Sequence, residues 1–260
     1  MEIAVLGSGS AGNATLVRAR GVTILLEAGL SARQIAERAR AAGYDPGAVA
    51  AAFVSHAHTD HVKGAPVFSR RHRVPVFMTD PTRETLRRLW RKPPSFHGSE
   101  TLAEGGTVDI GPFRVRTFPV PHDADGTVGY VVEAEGVRFG YVTDLGHVTT
   151  LVVERLRGCD ALLIEMNHDP DLLREGPYPW DVKQRIASRH GHLSNEDGAS
   201  LLERAVGSAT RTIFLGHLSE TNNQPAIALA TARLAVERAG RGDLAVAAAA
   251  QNRVTRPVRL

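Results

Sequence analysis

Cysteine is almost missing from this chain. One, Cys159, stands among 260 residues, which excludes a disulfide framework and any zinc ribbon built on thiolates. It precedes the apolar run Ala161-Leu162-Leu163-Ile164 and reads as a small core residue rather than a nucleophile. Long apolar runs are lacking too, since no stretch approaches the ~18 residues that span a bilayer. The N-terminal Met1-Glu2-Ile3-Ala4-Val5-Leu6 turns at Gly7, without a basic segment, a long apolar segment or a cleavage site. It does not read as a signal peptide, and a cytoplasmic protein with no membrane partner is the expectation. A net charge of +3 names no partner by itself. Repeats, low-complexity tracts and linker-like stretches are also absent, so one domain over 1–260 is expected.

What is present alternates. Residues 2–6, 14–18 and 22–27 are β-rich runs separated by a Gly-rich stretch (7–13) and by Arg20-Gly21. Ser31 can cap a helix through Ala42, with Gly43 as its stop signal, and Ala51–Ser55 is a short apolar strand. Thr107–Ile110, Phe113–Val120, Val128–Ala134 and Arg138–Thr143 read as strands, with turns at Gly111-Pro112 and Glu135-Gly136. Helical patterns at 149–157, 195–206 and 223–239 then separate strands at 160–165, 211–215 and 243–248. This α/β order predicts two sheets packed face to face with helices outside, and ligand-bearing loops at one edge.

The strongest chemical signal is Ser55-His56-Ala57-His58-Thr59-Asp60-His61. On a loop leaving a strand, residues i and i+2 project to one side, so His56 and His58 can grip one metal. Asp60 and His61 come from the following turn and can reach a second. Imidazole and carboxylate ligands suit zinc, and also manganese or iron. The plainer alternative is a polar loop that caps a helix at Val62. Four ligands do not complete a dinuclear site, and three more stand at the ends of predicted strands: His122 after Phe118-Pro119-Val120-Pro121, Asp144 after Tyr141-Val142-Thr143, and His217 after Phe214-Leu215-Gly216.

In this order, His56, His58, Asp60, His61, His122, Asp144 and His217 resemble the metallo-β-lactamase-fold superfamily over nearly the whole chain. The resemblance implies a four-layer αββα sandwich with two divalent metal ions. His56, His58 and His122 would hold one ion, Asp60, His61 and His217 the other, with Asp144 bridging. Within the superfamily the chain is similar to the YycJ/WalJ branch. That pattern stands here as Gly7-Ser8-Gly9-Ser10-Ala11-Gly12-Asn13, Val120-Pro121-His122-Asp123, Thr143-Asp144-Leu145-Gly146, Asn167-His168-Asp169, Gly191-His192-Leu193-Ser194-Asn195 and Leu215-Gly216-His217-Leu218-Ser219-Glu220. The branch implies phosphodiester hydrolysis, with 5′→3′ exonuclease action on nucleic acid and DNA ahead of RNA as the polymer. A small linear or cyclic phosphodiester and RNA are the alternative substrates. A glyoxalase-II-like thioesterase and a non-enzymatic nucleic-acid-binding regulator are the rival classes, and the oligomeric state is left open.

Other features carry two readings each. Gly7-x-Gly9-x-x-Gly12 mimics a dinucleotide fingerprint, but strand-like Thr15-Leu16-Val17 follows where a helix should open. The segment is then either a plain connection or a phosphate contact through its backbone and Ser8, Ser10 or Asn13. His168 and His192 are candidates to assist a leaving oxygen, with solvated loop histidines as the alternative. Ser194 is either a helix N-cap or a phosphate contact. Asp123 is a candidate to orient a ligand imidazole. Between Lys63 and His97 stand nine basic and two acidic residues, and a helix over 81–92 would align Arg83, Arg87, Arg88 and Arg91. Arg87 and Arg91 are thus candidate phosphate contacts, or one solvated face. Only Trp90 and Phe96 lie nearby, too few for a stacking platform.

Overall fold

The computed structural model describes residues 1–260. Its first half runs β1 (Glu2–Gly7), β2 (Ala14–Ala19), β3 (Val22–Leu26), α1 (Ala32–Ala41), β4 (Val49–Phe53), α2 (Thr59–Val62), α3 (Ala65–His72), β5 (Pro75–Met78), α4 (Asp80–Leu89) and β6 (Gly98–Thr101). The second half runs β7 (Thr107–Ile110), β8 (Phe113–Pro119), β9 (Val128–Ala134), β10 (Val137–Val142), α5 (Thr150–Leu156), β11 (Ala161–Glu165), α6 (Pro170–Glu175), α7 (Trp180–Ile186), α8 (Asn195–Ala205), β12 (Thr212–Gly216), α9 (Pro225–Arg238), β13 (Ala245–Ala248) and β14 (Val258–Arg259). Two seven-stranded sheets result, ordered β14-β1-β2-β3-β4-β5-β6 and β13-β12-β11-β10-β9-β8-β7.

Local chemistry explains the boundaries. The β2–β3 and β9–β10 hairpins turn on two residues each, with Arg20 (φ 47°), Gly21 (φ 79°), Glu135 (φ 55°) and Gly136 (φ 75°) all left-handed. Two positive φ values in sequence match the right-handed strand twist, which is why these pairs make tight hairpins. Ser31 caps α1 in a reciprocal capping box with Gln34. The arginine-bearing helix ends at Leu89 rather than running to Lys92, so Arg91 lies beyond α4 and does not extend its stripe. The strand before the histidine loop sits two residues earlier than expected, at Val49–Phe53.

Three apolar clusters define the layers. One lies between the sheets and includes Ile3, Val5, Phe53, Tyr130, Phe139 and Phe214. A second packs the outer face of the first sheet on α1, α3 and α4 through Leu16, Leu25, Ile35, Phe68 and Leu86. The third joins the other outer face to α5, α8 and α9 through Leu162, Ile164, Val152, Leu201 and Ala232. This is the four-layer αββα sandwich. β3, β4 and β5 run parallel, as do β10, β11 and β12. The carboxyl ends within each parallel set therefore share one edge, and there the polar residues of the chain collect.

Candidate metal centre

Each half of the sandwich contributes to one site. β4 delivers His56, His58, Asp60 and His61; β8, β10 and β12 deliver His122, Asp144 and His217. These seven form two adjacent groups, His56/His58/His122 and Asp60/His61/Asp144/His217. In the first, His122 Nε2 lies 3.2 Å from His58 Nδ1. In the second, Asp60 Oδ2 is 3.1 Å from His217 Nε2 and 3.5 Å from His61 Nε2, and Asp144 Oδ2 is 3.0 Å from His61 Nε2. Ligands bound at 2.0–2.1 Å around one tetrahedral ion stand about 3.3 Å apart, so these spacings are those of a ligand shell. Asp144 also faces the first group, with Oδ1 3.9 Å from His122 Nε2.

The loops are held for this purpose. Asn13 N donates to Asp60 O, Gly29 N to Asn13 O and Ala28 N to His61 O, which braids the 9–13, 27–30 and 58–64 segments together. A Cβ on Gly29 would fall 1.5 Å from Asp60 O, so no other residue allows this approach. Glu27, Asp144 and His217 take φ values of 62°, 58° and 54°. Left-handed backbone at three non-glycine residues is strain concentrated at the site.

Behind the ligands stand two carboxylates that the motif reading missed. Glu27 follows the strand Val22–Leu26, apolar but for Thr23, and lies 3.1 Å from His61 Nδ1 while accepting from Ser55 N. Glu165 ends Ala161–Ile164; its Oε1 lies 2.8 Å from His192 Nδ1 and 3.2 Å from His217 Nδ1, and its Oε2 accepts from Leu145 N and Leu193 N. Both are fully buried. A carboxylate closing a largely apolar, buried strand was the available signal, because a buried charge must be paired. His56 and His122 are likewise oriented, by Ser55 Oγ (2.9 Å) and Gly191 O (3.1 Å) on their Nδ1 atoms.

The electrostatics follow from this packing. Burial raises the carboxyls of Asp60 and Asp144, but the surrounding imidazoles outweigh it and hold both well below the usual range. The same balance, set by His192 and His217, holds Glu165 down to about 2. Burial disfavours protonated His61 and His217, yet Asp144 and its fellow carboxylates raise both well above the ordinary value. His56 goes the other way, lowered by burial and by His61. Glu27 is raised, because burial outweighs the attraction of His61.

The donor set fits divalent metal. His56 Nε2 is buried without any hydrogen-bond partner, an arrangement stable only if something accepts its lone pair. The site opens into a cleft of about 330 Å³ whose lining includes Ser10, Thr59, Tyr178, Arg185 and His192. His192 thus reaches the reacting space. His168 does not: it is buried and lines a separate pocket of about 230 Å³ between α6 and α7. The expected phosphate contacts divide similarly. Ser10 lines the cleft, whereas Ser8 donates to Asn13 Oδ1 and accepts from His217 N inside the protein. Asn13 Nδ2 is occupied by Gly9 O and Asp60 O, so both side chains brace the ligand loops instead of facing substrate. Ser194 exchanges hydrogen bonds with Asp197 as the N-cap of α8, which commits its O–H and leaves no hydroxyl donor for a phosphate. Arg87, beside Glu84, and Arg91 are absent from the cleft lining, and Arg83 folds onto Asp80, Ser99 and Thr101. Asp123 Oδ1 lies 3.5 Å from His58 Nε2 and 3.3 Å from His122 Nε2, within reach of the first ligand group.

A four-layer sandwich with paired His/Asp clusters at its carboxyl edge defines a metal-dependent hydrolase of the metallo-β-lactamase fold. Residues 22–217 match the beta-lactamase superfamily domain, and the chain belongs to that superfamily. More particularly, it is 31% identical over 242 residues to exodeoxyribonuclease YycJ of Bacillus anthracis, covering 93% of this chain and 91% of the relative. It is 33% identical over 223 residues to exodeoxyribonuclease WalJ of Streptococcus pneumoniae serotype 2, covering 85% and 83%. The structure of zinc-bound PqqB from Methylobacterium extorquens superposes with a TM-score of 0.72 at 20% identity, covering 100% of both chains.

Proposed function

We propose that this protein is a phosphodiesterase that removes nucleotides from the 5′ end of DNA, with zinc as the first candidate metal and manganese or iron as substitutes. The observation that carries the reading is the pair of ligand groups meeting at Asp144 beneath one compact cleft. The names of the YycJ and WalJ relatives support the substrate class. His56, His58 and His122 would hold one cation, Asp60, His61 and His217 the other, with Asp144 shared. Bound there, such cations supply a water ionised near neutral pH and counter-charge for a phosphoryl group.

The protein's own residues do the rest. Glu27 and Glu165 fix the rings of His61 and His217, so their Nε2 atoms point into the site. His192 donates its Nδ1 proton to Glu165, which leaves Nε2 facing the cleft to protonate the departing oxygen. Although burial opposes it, Glu165 raises the His192 pKa above its ordinary value and favours the acid form needed for that task. The small cleft favours, as a second reading, a low-molecular-weight phosphodiester.

Metal content and turnover on a substrate panel test the proposal, with Asp144→Ala as control. The panel holds 5′-labelled single- and double-stranded DNA, RNA, bis-p-nitrophenyl phosphate and a glutathione thioester. Stepwise 5′ release lost in Asp144→Ala is the expected result. Turnover of the small diester alone moves the substrate to small phosphates; thioester cleavage alone, or protein without bound metal, overturns the reading.

A further inference from the structure

Among the residues lining the cleft, Arg185 is the one guanidinium or ammonium group. It sits on α7, whose Val182 and Ile186 share the cleft wall at helical spacing. Two features orient it there, with its side chain 64% exposed. Its Nε lies 2.8 Å from Asp123 Oδ2, and this is its only ion pair. The end of α7 is clamped to the site by Gly191: His192 N donates to Ile186 O, His122 Nδ1 faces Gly191 O, and a Cβ on Gly191 would fall 2.3 Å from Arg185 O. Arg185 is therefore tied through Asp123 to His58 and His122, while its two terminal nitrogens have no partner.

A guanidinium held by Nε with its terminal nitrogens free presents a fork that matches phosphate oxygens. The scissile phosphate belongs to the ligand groups, whose carboxylates and imidazoles lie on the far side of Asp123. We propose that Arg185 is a second phosphate subsite, which binds the phosphate one nucleotide away from the bond being cut and so selects substrates with at least two phosphates. Asp123 is its positioning partner. The inference rests on the phosphodiesterase reading above, and it deepens that reading by naming what lies beside the scissile group.

The test compares two small esters that differ by one phosphate: thymidine 5′-(p-nitrophenyl phosphate) and the same ester carrying a 3′-phosphate. The metal-loaded enzyme is expected to prefer the bisphosphorylated ester in kcat/KM. Arg185→Ala should remove about 10- to 100-fold of that preference, mainly through KM, since a charge-assisted hydrogen bond is involved. The loss should fall more heavily on the bisphosphorylated ester than on the one-phosphate ester, and Arg185→Lys should restore part of the preference because it keeps the charge but not the fork. Equal kcat/KM on both esters in the parent overturns the inference, as does a preference unchanged in Arg185→Ala or a parallel loss on both esters. A parent without strand-end digestion but with an Arg185-dependent ester preference refutes the exonuclease reading and supports this subsite.

Discussion

Glu165→Gln exchanges one oxygen for an NH₂ group and keeps the shape of the side chain. In the folded protein both oxygens meet only donors: the Nδ1 atoms of His192 and His217 on one side, the amides of Leu145 and Leu193 on the other. An amide can accept on one side only, so two buried donors face an N–H whichever way it is flipped. Each such loss costs about 1–3 kcal/mol, which gives about 2–6 kcal/mol in total. For a protein of this size the melting temperature should fall by about 2–4 °C per kcal/mol, hence roughly 4–24 °C. Where the NH₂ group turns to the imidazoles, His217 also loses the acceptor that aims its ring, and metal affinity should fall about 10- to 100-fold. Thermal unfolding in chelator separates the first effect, and metal titration of the refolded variant the second. If the metal-free variant melted within about 2 °C of the parent and bound metal within about threefold, Glu165 would not be organising the site as argued.

The metal-free protein should be most stable near neutral pH. Stabilisation from Asp60, Asp144 and Glu165, whose pKa values are depressed, is present above about pH 4 and lost as pH falls below it. His56, whose pKa is lowered, erodes stability earlier, once pH drops below about 6.5. His61, His192 and His217 have raised values, so their stabilisation is complete below about 6.5 and fades as pH climbs through those values. Urea melts across pH in chelator check all three limbs. Metal uptake near pH 7 should release protons, read by calorimetry in buffers of different ionisation enthalpy, because ligand imidazoles must be neutral. His192→Gln should lower kcat by about 10²–10⁴-fold with metal content intact, as loss of a proton donor requires. Ser194→Ala should cost about 1 kcal/mol in a denaturant melt and leave kcat unchanged, since Ser194 caps a helix.

Much of the sandwich was legible because its signals are local. The two-residue turns at Arg20-Gly21 and Glu135-Gly136, the Ser31 cap and the alternating Phe113–Pro119 strand announce themselves through neighbouring residues. The α7 helix did not, because it buries none of its residues and offers only the pair Val182 and Ile186 as an apolar period. The strands β5 and β6 at one end of the first sheet, four residues each, are too short to show a pattern. The ligand-bearing residues stood out as histidines and aspartates at strand ends. Glu27 and Glu165 were passed over because a carboxylate there also reads as the start of a turn, and only the surrounding burial reveals its partner. Ser8 and Asn13 misled for the opposite reason: their loop looks open in sequence, yet three segments braid around it.

The division of the ligands between the two sheets has a consequence for the life of the molecule. Neither half alone holds a full ligand shell, so tight metal uptake must wait until the sheets have docked. Once bound, the cations clasp the halves, and parting the sheets means releasing metal first. Free metal above the dissociation constant then stabilises the docked state in proportion to RT ln(1 + [metal]/Kd). A metal-free copy is therefore expected to open, and to be cut by added protease, sooner than a loaded one.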